Sequence, residues 1–222
     1  DVLEELGIPT DLGPEQAAKS LREEHFAFFF APAYHPAFRH IAGSRKICAE
    51  RGQRTIFNFL GPLLNPVRPS AQLLGVPRPE LCEPLAQVLQ RLGSRRVMVV
   101  SGNTGAGYLD EFSTFRETHI AEYYHDRGFH VSTMDPIHFG LAPATLEQLR
   151  GGDRRENAFI LREILAGRER GAKRDAVLLN SAAALFVAGK AKSLTEGLEH
   201  AADLIDSGKV LAKLERLIKY RP

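Results

Sequence analysis

The chain has 222 residues, 44% of them hydrophobic and 25% charged, with a formal net charge of +2. That length supports one large domain or two small ones with a sizeable core, and the near-balanced charge gives no electrostatic footprint for nucleic acid or a membrane surface. The two cysteines, Cys48 and Cys82, stand far apart without a pairing or metal-ligand pattern, which suits a reducing, cytoplasmic setting and argues against a disulfide framework or a zinc site.

No apolar run is long enough to span a bilayer. Asp1 opens directly onto Val2, Leu3 and Leu6 at helical spacing, with Gly7 as the stop. A sequence that begins this way without an initiator Met is expected to be cut from a longer protein. Pro14-Glu15 opens a helix running to Glu24. The aromatic run His25–Phe30 is expected to be a buried strand that places the Ala31–Pro36 loop at its C-terminal end. A helix from Pro36 to Arg51 follows, then a second helical piece from about Thr55 to Leu60, ended by Gly61-Pro62. Gln72–Val76 predicts a short strand, Glu80–Leu92 an amphipathic helix, and Arg96–Gly102 a continuous apolar strand of the kind covered on both faces in parallel sheets. That βαβ rhythm predicts an α/β sheet. After the Gly-rich loop Asn103–Leu109, strands at Thr118–Tyr124 and Phe129–Met134 flank the turn His125–Gly128. Helices then dominate: Thr145–Arg150, Asp153–Gly167, Arg174–Gly189, Ser193–Ser207 and Leu211–Tyr220, with Ser193 and Glu196 forming a capping box.

Chemistry concentrates in two places. The stretch Phe30–Pro66 clusters Pro and Gly around the cation Arg45 and is expected to form one wall of an active site, with Asp110-Glu111 supplying the opposite wall. Adjacent carboxylates just after a parallel strand sit at the edge where open α/β sheets bind ligands. They suit Mg²⁺, which takes one or two carboxylates and completes its shell with water and phosphate; a solvated acidic turn is the plainer alternative. Arg45 follows Ala42-Gly43-Ser44 in a helix with His35, Phe38 and Phe57 nearby in sequence. It can hold a carboxylate bidentately, or it is a surface Arg on a basic helix. His35, between Tyr34 and Pro36, is either a ligand contact or a structural histidine. Gly102–Gly107 lacks the glycine spacing of a dinucleotide fingerprint. Asn180, in a helix of small residues, reads as a structural hydrogen-bonder rather than a catalyst.

Taken together these residues resemble the anthranilate phosphoribosyltransferase family. The motifs are Phe30-Ala31-Pro32 with His35-Pro36-Ala37, Ser44-Arg45-Lys46, the run Arg54–Pro66, Leu109-Asp110-Glu111, Leu149–Asp153 with Glu156-Asn157-Ala158, and Asp175–Asn180 through Ala188-Gly189. The resemblance implies transfer of phosphoribosyl from phosphoribosyl pyrophosphate to anthranilate, as in tryptophan biosynthesis. It implies Mg²⁺ on Asp110 and Glu111, the anthranilate carboxylate on Arg45, and an anthranilate channel lined by His35, Pro32 and Phe38, with no residue assigned as general base. The fold implied is α/β, with a mixed, mostly parallel sheet flanked by helices and part of a small helical domain, as in nucleoside phosphorylases and phosphoribosyltransferases. On that scheme residues 1–35 begin the α/β domain, 36–66 contribute to the helical domain, and 67–222 complete the α/β domain; a homodimer is expected. The family's Gly-Thr-Gly-Gly-Asp and Lys-His-Gly-Asn-Arg loops do not occur in this chain, which thus resembles the C-terminal two-thirds of such an enzyme. The residues after Glu111 and the loop Asn103–Tyr108 also depart from the family pattern. Those departures leave room for a relative with another acceptor, or for one that binds a nucleotide or nucleic acid without turnover.

Overall fold

The computed structural model of the chain describes residues 1–53, 55 and 60–222, with Arg39 and Arg45 described through their backbone only. The chain divides into two units: residues 1–67, 153–158 and 212–222 form one, and residues 68–152 and 159–211 the other.

The second unit is built on a sheet of β1 (Ala71–Gly75), β2 (Arg96–Asn103), β3 (Tyr108–Leu109), β4 (Thr118–Tyr124) and β5 (Gly128–Met134). The strand order is β1-β2-β4-β5, with β3 paired to β2. β1 runs parallel to β2, so that Gly75 lies opposite Val100. The β2–β3, β2–β4 and β4–β5 pairs are antiparallel. The mixed α/β sheet flanked by helices is the architecture expected. The expectation that its strands pair mostly in parallel does not hold for these residues, for a topological reason. A parallel neighbour needs a long crossover, but Tyr124 already pairs with Gly128 across a tight turn and Tyr108 folds straight back on Asn103.

β2 is apolar at successive positions because both faces of the sheet are covered: Val97, Met98, Val99 and Val100 are each at most 1% exposed. Successive side chains point to opposite faces. Met98 and Val100 join Phe112, Ile120 and Met134 against Leu179, Ala183 and Val187 of the helix Ala172–Val187. The helix Cys82–Arg91 packs on β2 and β4 and buries Leu85, Ala86 and Leu89. A second cluster, Ile164, Leu178, Ala201 and Ile205, joins the helix Ala172–Val187 to the helix Leu194–Asp206. At the start of the latter, Ser193 Oγ accepts from the Glu196 amide at 3.1 Å, while Glu196 Oε2 accepts from the Lys192 amide, one residue before the cap. The expected capping box thus closes on the preceding residue.

The first unit is helical: Val2–Glu5, Pro14–Glu24, Ala31–Tyr34, the 3₁₀ segment Pro36–Ile41 and Ala42–Glu50. Two readings are corrected here. His25–Phe30 is not a strand: His25 takes a left-handed conformation (φ 51°) that ends the preceding helix, and Ser20 Oγ donates to the Phe26 carbonyl, which turns the chain away. Pro36–Arg51 is not one helix but a 3₁₀ turn followed by an α-helix. The helical piece expected at Thr55–Leu60 and the core of the Arg54–Pro66 motif lie outside the described residues.

Glu24 is the main anchor of the C-terminal segment on the helix Pro14–Glu24, beside a bond from the Tyr220 hydroxyl to Glu23 Oε2 at 2.8 Å. Lys213 Nζ donates to Glu24 Oε2 at 2.7 Å and to the Glu24 carbonyl, and Arg216 Nη2 donates to Glu24 Oε1 at 2.9 Å. Glu24 is 8% exposed. The hydrogen bonds from Lys213 and then Arg216 hold its carboxyl below the ordinary value of 4.5. A carboxylate with a depressed pKa contributes stability that is complete above its unfolded value and disappears as pH falls through the folded value. Glu24→Gln is therefore expected to lower the urea unfolding midpoint at pH 7. The difference from wild type should shrink on acidification below about pH 4.5 and close at lower pH. Parallel pH profiles for the two proteins would contradict this assignment.

Candidate active site

The Asp110-Glu111 loop rests on the C-terminal ends of β1 and β2, the two strands that run parallel. It can do so because both ends carry glycine. A Cβ on Gly75 would lie 1.6 Å from the Asp110 carbonyl oxygen, and a Cβ on Gly102 would lie 2.5 Å from the Glu111 carbonyl oxygen. No side chain fits either gap. The main chain of the acidic pair therefore passes directly over the sheet edge, the position at which open α/β folds bind ligands.

The loop is tied down immediately beyond the pair. Phe112 is 2% exposed and its ring enters the core cluster. The Phe112 amide donates to Asn180 Oδ1 at 2.9 Å. Ser113 Oγ donates to the Asn103 carbonyl at 2.6 Å, and the Ser113 amide donates to Thr118 Oγ1 at 2.9 Å. Asn103 Nδ2 donates to Glu117 Oε1 at 2.6 Å, which locks the far side of the loop. Full burial of an aromatic side chain such as Phe112 is worth about 1.5–3 kcal/mol, so the anchor is firm while the acids remain outside it.

Asp110 and Glu111 are both exposed. Among the described residues neither carboxylate takes part in a hydrogen bond or ion pair. Desolvation at its carboxyl and, second, the Asp110 charge hold Glu111 above the ordinary glutamate value. Two uncompensated, adjacent carboxylates on a fixed backbone are what a divalent cation would relieve. Among the described residues no cluster of three or more His, Cys, Asp and Glu side chains could hold a metal. The pair therefore fits an ion that takes the rest of its shell from water and ligand, as Mg²⁺ does.

The other predicted residues lie in the first unit. Pro32 is exposed within the helix Ala31–Tyr34, and His35 follows as its C-terminal cap, its amide donating to the Ala31 carbonyl at 3.0 Å. The half-buried His35 ring stands 5.5 Å from the Phe38 ring, centroid to centroid, at a 40° tilt. Tyr34 fixes this corner: its hydroxyl donates to the Leu12 carbonyl at 2.7 Å and its ring meets Phe29 edge-on at 5.1 Å. The structure thus brings together His35 and Phe38, with Pro32 one turn earlier. Arg45 is placed on the helix Ala42–Glu50, and its side chain, like Phe57, lies outside the described residues. A cavity of about 320 Å³ beside Cys82 and His119 adds no nucleophile. Burial, then the Glu80 charge, pushes the Cys82 thiol up to about 11, so it stays protonated.

Sequence reasoning missed the groups that position the acids. Gly75 and Gly102 carried a signal, since glycine at a strand end marks close backbone approach. Asn180 carried none for this loop, because its partner Phe112 is 68 residues away.

With this geometry in hand, residues 1–211 match the family described as "Glycosyl transferase family, a/b domain", and the chain belongs to that family. It is 50% identical over 218 residues to anthranilate phosphoribosyltransferase from Geobacter sulfurreducens, covering 98% of this chain and 60% of that protein. The crystal structure of anthranilate phosphoribosyltransferase from Thermus thermophilus superposes with a TM-score of 0.87 at 40% identity, over 98% of this chain and 62% of that one. The Saccharomyces cerevisiae enzyme in complex with phosphoribosyl pyrophosphate and Mg superposes with a TM-score of 0.83 at 29% identity, over 98% and 61%. The chain thus spans about 60% of the length of the curated relatives it matches.

Gly75→Ala is expected to force the Asp110 peptide off the sheet edge and to destabilise the protein by at least about 1–3 kcal/mol, the usual cost of overpacking. Gly107→Ala, whose Cβ would meet nothing within 4 Å, should melt like wild type. Equal melting of Gly75→Ala and wild type would show that the loop does not lie where described.

Proposed function

We propose that the protein to which this chain belongs transfers the phosphoribosyl group of phosphoribosyl pyrophosphate to anthranilate, releasing pyrophosphate in a step of tryptophan biosynthesis. The observation that carries the reading is the uncompensated acidic pair fixed at the carboxyl edge of the parallel strands. The similarity to named anthranilate phosphoribosyltransferases over 98% of the chain supports the choice of substrates. In the reaction the anthranilate nitrogen bonds to the anomeric carbon, the bond from that carbon to the pyrophosphate oxygen breaks, and the amine loses a proton.

Asp110 and Glu111 would hold Mg²⁺, which when bound neutralises the charge of the departing pyrophosphate. Arg45 would take the anthranilate carboxylate with two parallel hydrogen bonds. His35, Pro32 and Phe38 would line the path of the aromatic ring, a role that the His35–Phe38 ring contact supports. An aryl amine mainly needs holding in line with the anomeric carbon, and no side chain is assigned as its general base. Residues 36–66 would contribute to a small helical domain; the described elements there are all helical. The helix Ala42–Glu50 exposes Ile47 at 52%, which suits a homodimer contact. Among the described residues no helix is long and apolar enough to cross a membrane, and a cytoplasmic enzyme is the setting proposed.

The test is an assay of the full-length protein that follows loss of anthranilate fluorescence with phosphoribosyl pyrophosphate, with and without Mg²⁺. Metal-dependent consumption is expected. A folded protein that consumes no anthranilate would turn attention to other acceptors, or to binding without turnover. Within the active enzyme, Arg45→Ala should raise KM for anthranilate by about tenfold to a hundredfold, the loss of a charge-assisted hydrogen-bonded pair, and leave KM for the phosphoribosyl donor nearly unchanged. Equal rises for both substrates would remove Arg45 from the acceptor site.

A further inference from the structure

We infer that Asn180 is the positioning residue of the acidic loop: its side-chain amide holds the Phe112 peptide and so sets where the Asp110 and Glu111 carboxylates stand for a divalent cation. This inference rests on the metal-binding reading proposed above and adds to it the residue that builds the site.

Asn180 Oδ1 accepts from the Phe112 amide at 2.9 Å. Its Nδ2 donates to the Ala176 carbonyl at 2.9 Å and, more weakly, to the Phe112 carbonyl at 3.4 Å. The Ala176 bond, one turn back in the same helix, fixes which way the amide faces. With Nδ2 committed to Ala176, Oδ1 is left for the Phe112 N–H; a flipped amide would set N–H against N–H and oxygen against oxygen. The helix that carries Asn180 does not yield, since its neighbour Leu179 is fully buried and Ala183 is equally so, both in the sheet-facing cluster. The peptide that follows Glu111 is thus held from one side by Asn180 and through the buried Phe112 ring. The peptide that precedes it is held by the close approach to Gly75. The main chain of the pair is defined on both sides, yet Asn180 spends none of its polar atoms on the carboxylates, which stay free for a cation. Residues that orient a metal's ligands typically change metal affinity by about 10–100-fold when removed.

Asn180→Leu keeps the branched shape, adds no charge and removes both halves of the clasp. Binding of Mn²⁺, with inorganic pyrophosphate present, is measured on the full-length protein by electron paramagnetic resonance. Affinity is expected to fall about tenfold or more in Asn180→Leu. In turnover the half-saturating Mg²⁺ should rise by a similar factor, while kcat at saturating metal returns close to wild type. Unchanged Mn²⁺ affinity in a folded variant, or a lower kcat with the same metal half-saturation, would overturn the inference. Hydrogen exchange on the wild type tests it without any variant: the Phe112 amide should exchange on the order of a hundredfold more slowly than those of the exposed turn Gly105–Gly107. Exchange of Phe112 at the turn's rate would overturn it. Mn²⁺ binding that is lost in Asp110→Asn and weakened in Asn180→Leu, in a wild-type protein that does not consume anthranilate, would sustain the role of Asn180 and refute the proposed reaction instead. Mn²⁺ binding indifferent to Asp110→Asn would overturn both the metal assignment and this inference.

Discussion

The constraint on which the candidate site depends is a contact between backbones. Gly75 and Gly102 leave the ends of β1 and β2 without side chains, and the Asp110-Glu111 main chain occupies the vacated space. Everything else about the loop follows from that approach. A main chain lying on a sheet edge must find partners for its polar groups, and Asn180 and Thr118 supply them to the Phe112 and Ser113 amides. A loop that close to the core has an apolar slot beside it, and Phe112 fills the slot. The two acids just before Phe112 stay on the outside. The short return strand β3 plays its part as well: by pairing Tyr108 with Asn103 it brings the chain back to the end of β2 before Asp110.

Two acids in this chain stand in opposite environments. Glu24 is nearly buried and is met by Lys213 and Arg216, which depress its pKa. Glu111 is exposed, and among the described residues no cation pairs with it; desolvation and, second, the like charge of Asp110 raise its pKa. The first arrangement spends its electrostatics within the protein, on joining the C-terminal segment to an N-terminal helix. The second leaves them unspent, which makes Glu111 a candidate for a ligand.

Local features were the legible ones. The continuous apolar run of β2, the amphipathic helices and the Ser193 cap are decided within a few residues, and the adjacent acids can be read directly. The α/β class follows from them. What was not legible is decided at a distance. His25–Phe30 has the aromatic content of a strand, but composition does not supply a neighbouring strand, and the left-handed His25 sends the segment elsewhere. The balance of parallel and antiparallel pairs depends on which strands become neighbours, which the apolar pattern of β2 does not specify. Asn180 looked structural, and its hydrogen bonds are indeed to backbone; that the backbone in question belongs to the acidic loop is a fact of tertiary structure. The stretch after Glu111 is a further case. Phe112, Ser113, Thr114 and Thr118 are each at most 2% exposed. At these positions the departure from the family pattern concerns how the loop is packed and bonded, while Arg116 in the same stretch is exposed.

The character of the acidic pair also limits what this edge of the sheet can bind. A polyanion approaching two carboxylates meets repulsion of about 1 kcal/mol per charge pair at 4 Å even in water, and several times that at a partly desolvated surface. The chain's net charge of +2 is too small to offset this from a distance. A nucleic-acid backbone, which binds by displacing counterions with Lys and Arg, therefore has no partner at Asp110 and Glu111. A diphosphate gains a partner only when a divalent cation stands between it and the loop, because the cation reverses the sign of the surface the phosphate meets. With a divalent cation bound, the same pair that would repel a bare phosphate would favour a metal–phosphate complex. Such selectivity would require both acids to share one ion, and the backbone that carries them is fixed on either side at Gly75 and Asn180.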